Sequence, residues 1–137
     1  MKNRCRAFLV EDNPRNLESM IPAMAELAGV EVVGFVQRED EALEWLPHHA
    51  SNVDVVVLDM FLLQGTGLGV LNGMRNMNID CAVVGLTNHA TDDMRARFLA
   101  AGADAVFDKL QQTDEFLAFL DTVKPRGQAA ELAMQQR

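Results

Sequence analysis

The chain has 137 residues, 49% of them hydrophobic, and a formal net charge of −8. That length fits one domain, and the hydrophobic share supports a sizeable core and argues against disorder over most of the chain. The acidic balance argues against a generic binder of nucleic acid or anionic membrane, which needs surplus Lys and Arg. No apolar run has spanning length, and Ala7-Phe8-Leu9-Val10 is too short before Glu11 to form a signal peptide. The expectation is a soluble, cytoplasmic protein. Cys5 and Cys81 fall at the starts of predicted strands and read as small buried apolar residues, with no zinc spacing around them.

Cys5 to Val10 predicts a first strand that ends on Glu11-Asp12. Asn13 then suits a helix cap, with Pro14 at the first helical position. Leu17, Met20, Met24 and Leu27 recur at helical spacing, Gly29 ends the helix, and Pro22 should kink it or loosen one turn. Val30 to Val36 is a second strand, followed by a short helix from about Glu39 to Leu46 with Pro47 after its end. His48-His49 then falls in an exposed polar loop, and Trp45 partly covers the helix. Val53-Asp54-Val55-Val56-Val57-Leu58-Asp59 has no alternation, which marks a strand buried on both faces of a parallel sheet.

After the loop Leu62 to Gly67 a third helix spans about Leu68 to Met77, with Leu68, Leu71 and Met74 on one face. Gly65-Thr66-Gly67-Leu68-Gly69 is GxGxG, not GxGxxG, and follows the third strand, so it reads as loop and helix start and not as a nucleotide site. Cys81 to Leu86 is a fourth strand ending at Thr87. Thr91, Asp92 and Asp93 start a helix that buries Met94, Phe98 and Ala101 and stops at Gly102. Asp104 to Phe107 is a fifth strand, followed by Lys109. A last helix from about Asp114 to Val123 turns Phe116, Phe119, Leu120 and Val123 inward. Residues 1–123 thus form one domain, and 124–137 a tail that is frayed, or helical when docked.

Strand and helix alternate five times, with connections of helical length, so the fold class is α/β: a doubly wound, five-stranded parallel sheet with five helices. Every strand end then lies on one sheet edge, where such folds keep their ligands. Glu11, Asp12, Asp59, Thr87 and Lys109 meet there. Three close carboxylates repel unless a proton or cation intervenes. Oxygen ligands favour Mg²⁺, and a carboxylate beside that ion, with an ammonium and a hydroxyl to hold phosphoryl oxygens, suits an aspartyl phosphate.

At these residues the chain resembles the receiver domain of two-component response regulators, the CheY-like relative of the flavodoxin fold, which implies the strand order 2-1-3-4-5. The resemblance runs from about Arg6 to Val123 and rests on Glu11-Asp12, Asp59, Gly67, Thr87, Phe107 and Lys109 at successive strand ends. It implies that Asp59 is the phospho-acceptor, supplied by a phosphohistidine of a sensor histidine kinase or phosphotransfer protein. It implies Mg²⁺ bound by Asp12, Asp59 and the main-chain carbonyl of Phe61, with Glu11 acting through a water. Lys109 would pair with the phosphoryl group, and Thr87 and Phe107 would form the switch. The consequence would be altered binding of a downstream protein at the face of the fourth helix, fifth strand and fifth helix. The expected molecule is a stand-alone signalling protein, monomeric or weakly dimeric, that assists its own phosphorylation and dephosphorylation without being an enzyme, and that binds neither nucleic acid nor membrane by itself.

Several positions depart from the family pattern. Leu110 follows Lys109 where a cis proline is usual, which implies a trans bond or a strained loop, and either could displace the Lys109 ammonium. Leu63 replaces a proline and leaves the loop after Asp59 less restrained. Asn88 replaces a very small residue. Phe61 and His89 stand where the family tunes phosphate lifetime, and an apolar Phe61 implies slow self-dephosphorylation. These departures keep open a degenerate receiver that binds proteins without phosphorylation. A phosphatase of the haloacid-dehalogenase type would need an Asp where Phe61 stands. A flavin binder would not place Glu11-Asp12 at its phosphate loop.

Overall fold

The computed structural model describes residues 5–88 and 90–125. Five parallel strands lie in the order β2-β1-β3-β4-β5: β1 Cys5–Val10, β2 Val30–Val36, β3 Val55–Leu58, β4 Ala82–Thr87 and β5 Ala105–Asp108. The helices between and after them are α1 Pro14–Ala28, α2 Glu39–His49, α3 Gly67–Asn76, α4 Asp92–Ala100 and α5 Thr113–Thr122. This is the expected doubly wound sheet. The expected behaviour of residues 126–137, and the role of His89, lie outside the described residues.

The unbroken apolar run of β3 has a direct structural cause. Side chains alternate across a strand, and here both faces are covered. Val56 and Leu58 join Phe8, Val10 and Val83 in a core under α2, α3 and α4 that includes Leu46, Leu71 and Phe98. Val55 and Val57 join Ala7, Leu9 and Val84 in a second core with Leu17 and Met24 of α1 and Phe116 and Leu120 of α5. The strand itself is shorter than the run. Val53 and Asp54 precede it, and Asp54 is buried as a clip: its carboxylate accepts the Arg6 amide at 2.7 Å while its own amide donates to the Arg6 carbonyl. Asp104 does the same for Val83 ahead of β5. Neither role is visible in the apolar periodicity.

Four local expectations need correction. The second helix does not stop before Pro47 but continues to His49. Proline in a last turn forfeits one hydrogen bond, and packing compensates: Leu46 is fully buried, and His49 stacks on Trp45 with centroids 4.1 Å apart. His48 and His49 are therefore exposed helical residues, not loop residues. Trp45 is more than a cover for α2, because its ring lies flat on Phe8 of the core at 4.1 Å. Leu27, placed inward by spacing, is exposed at the end of α1. That helix is continuous through Pro22 and ends as expected on Gly29 at φ 65°.

Candidate functional site

The carboxyl edge of the sheet carries the site. Glu11 and Asp12 follow β1, Asp59 follows β3, Thr87 ends β4, and Lys109 follows β5. Glu11, Asp12 and Asp59 each bring a carboxylate oxygen within 4.8 Å of the other two. The Lys109 ammonium reaches Asp59 Oδ2 at 3.1 Å and forms a short ion pair with Glu11 Oε1. Lys109 and Asp59 side chains are only 10% and 11% exposed, so their attraction is little screened.

Each carboxylate has its own partners. Asp59 Oδ1 accepts the Met60 amide at 2.8 Å. Glu11 accepts the Asn13 amide at 3.2 Å and the Asn16 side-chain amide at 3.1 Å, besides Lys109. Burial opposes the ionised form of Glu11, yet hydrogen bonds from Lys109 and within the cluster outweigh it and hold that carboxyl below its usual value. Asp12 is raised, by burial and then by Glu11. Asp59 is pushed up to about 7, first by burial and next by Glu11, against the pull of Lys109. One ammonium thus fails to balance three carboxylates. A divalent cation among them would remove the conflict, and an all-oxygen donor set suits Mg²⁺. The donor set present fits that ion.

Thr87 is buried at the end of β4, where its carbonyl accepts the Lys109 amide at 2.9 Å. Phe107 points to the α5 side, in edge contact with Phe116 at 6.3 Å and tilted against Phe119 at 5.9 Å. Gly67 proves to be a matter of space. A Cβ there would sit 2.0 Å from the Asp59 carbonyl oxygen, so only glycine lets the start of α3 approach the site.

At the leucines that replace prolines, the trans bond expected at Leu110 is present, while the loop at Leu63 differs from the sequence expectation. No peptide bond among the described residues is cis. Leu110 is trans, and its amide donates to Asp108 Oδ1 at 2.8 Å, a bond proline could not make. Lys109 is not displaced. Leu63 likewise donates its amide to the Gln37 carbonyl at 3.1 Å. The loop after Asp59 is therefore tied down rather than less restrained. Gln64 pairs with Arg38, and the Gln64 carbonyl accepts the Glu39 amide at 2.9 Å. The side chains of Phe61, Leu63 and Leu110 form exposed apolar positions, 61%, 63% and 76% accessible. Sequence reasoning missed Gln37 and Glu39, and also Arg95, which links α4 to the Val106 carbonyl at 2.6 Å and to Gln112 at 2.5 Å. No helix among the described residues is long and apolar enough to cross a membrane.

Known proteins resemble this chain in sequence and fold. A family model described as the response regulator receiver domain matches residues 7–121. The response regulator UvrY of Escherichia coli K12 is 26% identical over 116 residues, covering 85% of this chain and 52% of that protein. The chain thus spans about half the length of the curated relatives it matches. Among solved structures, a LuxR-family DNA-binding response regulator from Staphylococcus aureus superposes with a TM-score of 0.77 at 19% identity, covering 85% of this chain and 96% of that one. The CheX–CheY–BeF3–Mg²⁺ complex from Borrelia burgdorferi superposes with a TM-score of 0.72 at 15% identity, covering 84% and 88%. At these identities the structural likeness establishes the fold.

Proposed function

The chain belongs to the response regulator receiver domain family of two-component signalling, and from that premise we propose that Asp59 accepts a phosphoryl group from a phosphohistidine of a sensor kinase or phosphotransfer protein. The observation that carries the reading is the buried cluster in which Lys109 contacts both Glu11 and Asp59 beside Asp12. In the transfer, an Asp59 carboxylate oxygen attacks phosphorus and the phosphorus–nitrogen bond breaks. Its electron pair stays on the imidazole, which takes up a proton, and an aspartyl phosphate results.

Asp12, Asp59 and the main-chain carbonyl of Phe61 would hold Mg²⁺, with Glu11 acting through a water, and the bound ion would neutralise phosphoryl charge. Lys109, already on Asp59, is positioned to pair with the new phosphoryl oxygens. Thr87 would turn its hydroxyl onto them, and Phe107 would follow by packing, since it has no hydroxyl. The added charge is about −1.5 to −2 at neutral pH. It would bias the face of α4, β5 and α5, which Arg95 already ties together, and so change binding of a downstream protein. On this reading residues 1–123 form the receiver unit, and Phe61, with no polar side-chain atom to place a water, gives slow self-dephosphorylation.

The test is intact mass after incubation with Mg²⁺ and a small acyl phosphate or a phosphohistidine donor, with Asp59→Ala as control. Gain of one phosphoryl group by the wild type alone is the expected result. No gain with any donor would leave a receiver that binds partners without phosphorylation.

A further inference from the structure

A carboxylate outside the acidic cluster fills a slot built for it. Glu39, at the start of α2, is half-buried, and its Oε1 accepts the Thr66 amide at 3.0 Å. Two glycines make the slot. A Cβ at Gly65 would lie 2.4 Å from Glu39 Cβ, and one at Gly69 would lie 2.0 Å from Oε1. Gly65 also needs glycine for its φ of +78°. The carboxylate therefore sits at the amino ends of both α2 and α3, where helix dipoles favour a negative charge. With Gly67 reserved for the Asp59 carbonyl, every glycine of the GxGxG run has a steric reason.

The same contact sits on a bridge between the loops of the site. Gln37 donates from its side chain to the Asp12 carbonyl at 3.4 Å, and its own carbonyl accepts the Leu63 amide. Glu39 closes the other end of that bridge on Thr66, and Thr66 pairs back across the loop with Phe61. We propose that Glu39 is a positioning residue for the phosphorylation site. By accepting the Thr66 amide in the Gly65–Gly69 slot, it fixes the loop that presents the Phe61 main-chain carbonyl to Mg²⁺. This rests on the reading of Asp59 and Asp12 given above and adds to it a residue that touches neither the ion nor the phosphoryl group.

The test is calorimetric titration of the full chain with MgCl₂, together with amide hydrogen exchange. Wild type binds, and Asp12→Asn abolishes binding. Glu39→Ala lowers Mg²⁺ affinity about tenfold, the size expected when a group orienting a metal ligand is lost, and speeds exchange at Leu63 and Thr66. Glu39→Gln keeps an oxygen acceptor and stays within about twofold of wild type. Gly69→Ala is the independent perturbation: alanine favours a helix over glycine, yet its methyl expels the Glu39 carboxylate, so it should reproduce the Glu39→Ala loss in a folded protein. Wild-type affinity in both Glu39→Ala and Gly69→Ala overturns the proposal, as does a Glu39→Gln loss equal to that of Glu39→Ala. Absence of Mg²⁺ binding in the wild type overturns the reading of the site itself, and with it any service by Glu39.

Discussion

Replacing Asp59 with Asn tests the electrostatics of the site without a phosphodonor. In metal-free protein the Asp59 carboxyl is raised from 3.8 to about 7, chiefly by burial. At about 1.4 kcal/mol per pH unit, that displacement sets a ceiling of about 4 kcal/mol on the cost of holding Asp59 ionised in the fold. Asn keeps an acceptor for the Met60 amide but loses the Lys109 contact, so we expect a net gain of about 2 kcal/mol at pH 8. The sign follows from linkage. A carboxyl raised in the folded state binds its proton more tightly there, so its stabilising contribution is complete below about pH 4 and is lost as pH rises through about 7. Urea unfolding of both proteins in EDTA from pH 4 to 8 measures this, and subtracting one curve from the other removes carboxylates remote from Asp59. The Asn variant should match the wild type near pH 4 and pull ahead above it. Saturating Mg²⁺ should then close the gap, since an ion at a hundred times its dissociation constant adds about 2.7 kcal/mol to the protein that binds it. A variant no more stable than the wild type at pH 8 in EDTA would refute the account of Asp59 as a carboxylate in conflict with its surroundings.

Other substitutions probe the supports. Gly67→Ala places a methyl 2.0 Å from the Asp59 carbonyl oxygen. It should destabilise by about 3 kcal/mol in thermal unfolding and abolish phosphorylation, because backbone must move. Leu63→Pro removes the bond to Gln37 and should cost about 1 kcal/mol, with faster amide exchange at Glu39, whose bond to Gln64 lies next to it. Asp54→Ala, at the opposite edge, leaves the half-buried Arg6 amide without its acceptor. It should cost about 1–3 kcal/mol while leaving phosphorylation by a small acyl phosphate unchanged. Burial, then Asp54, pushes the Cys5 thiol up to about 12. Native protein should therefore react with a disulfide reagent at Cys5 only as fast as it unfolds; rapid labelling of Cys5 at pH 8 would contradict that burial.

Much of this molecule was legible in the chain, because the legible parts are local or repeat along it. A strand buried on both faces has to be apolar at every position, so VDVVVLD announced β3, and the alternation of such runs with helical spacing implied a parallel sheet, while its order came from the resemblance to receiver domains. The same topology brings every strand end to one edge, which is why Glu11, Asp12, Asp59, Thr87 and Lys109 could be grouped from residue order alone. Helix ends marked by Asn13-Pro14 and Gly29 were equally local.

Tertiary structure decided what depends on two segments meeting. Pro47 marks a helix end by itself, but the turn beyond it is held by His49 on Trp45 and Trp45 on Phe8. Leu63 and Leu110 looked like lost restraints, since a missing proline is visible in sequence while a partner for the amide it restores is not. The partners lie at Gln37, across the gap between two strands, and at Asp108, through a side chain. Glycines at 65, 67 and 69 are ambiguous on paper, because a chain written in one dimension does not show what occupies the space a Cβ would take. Here that space holds the Glu39 carboxylate and the carbonyl of Asp59. Residue types and their order thus determined the fold and the membership of the site, while long-range hydrogen bonds and excluded volume set how firmly the site is held.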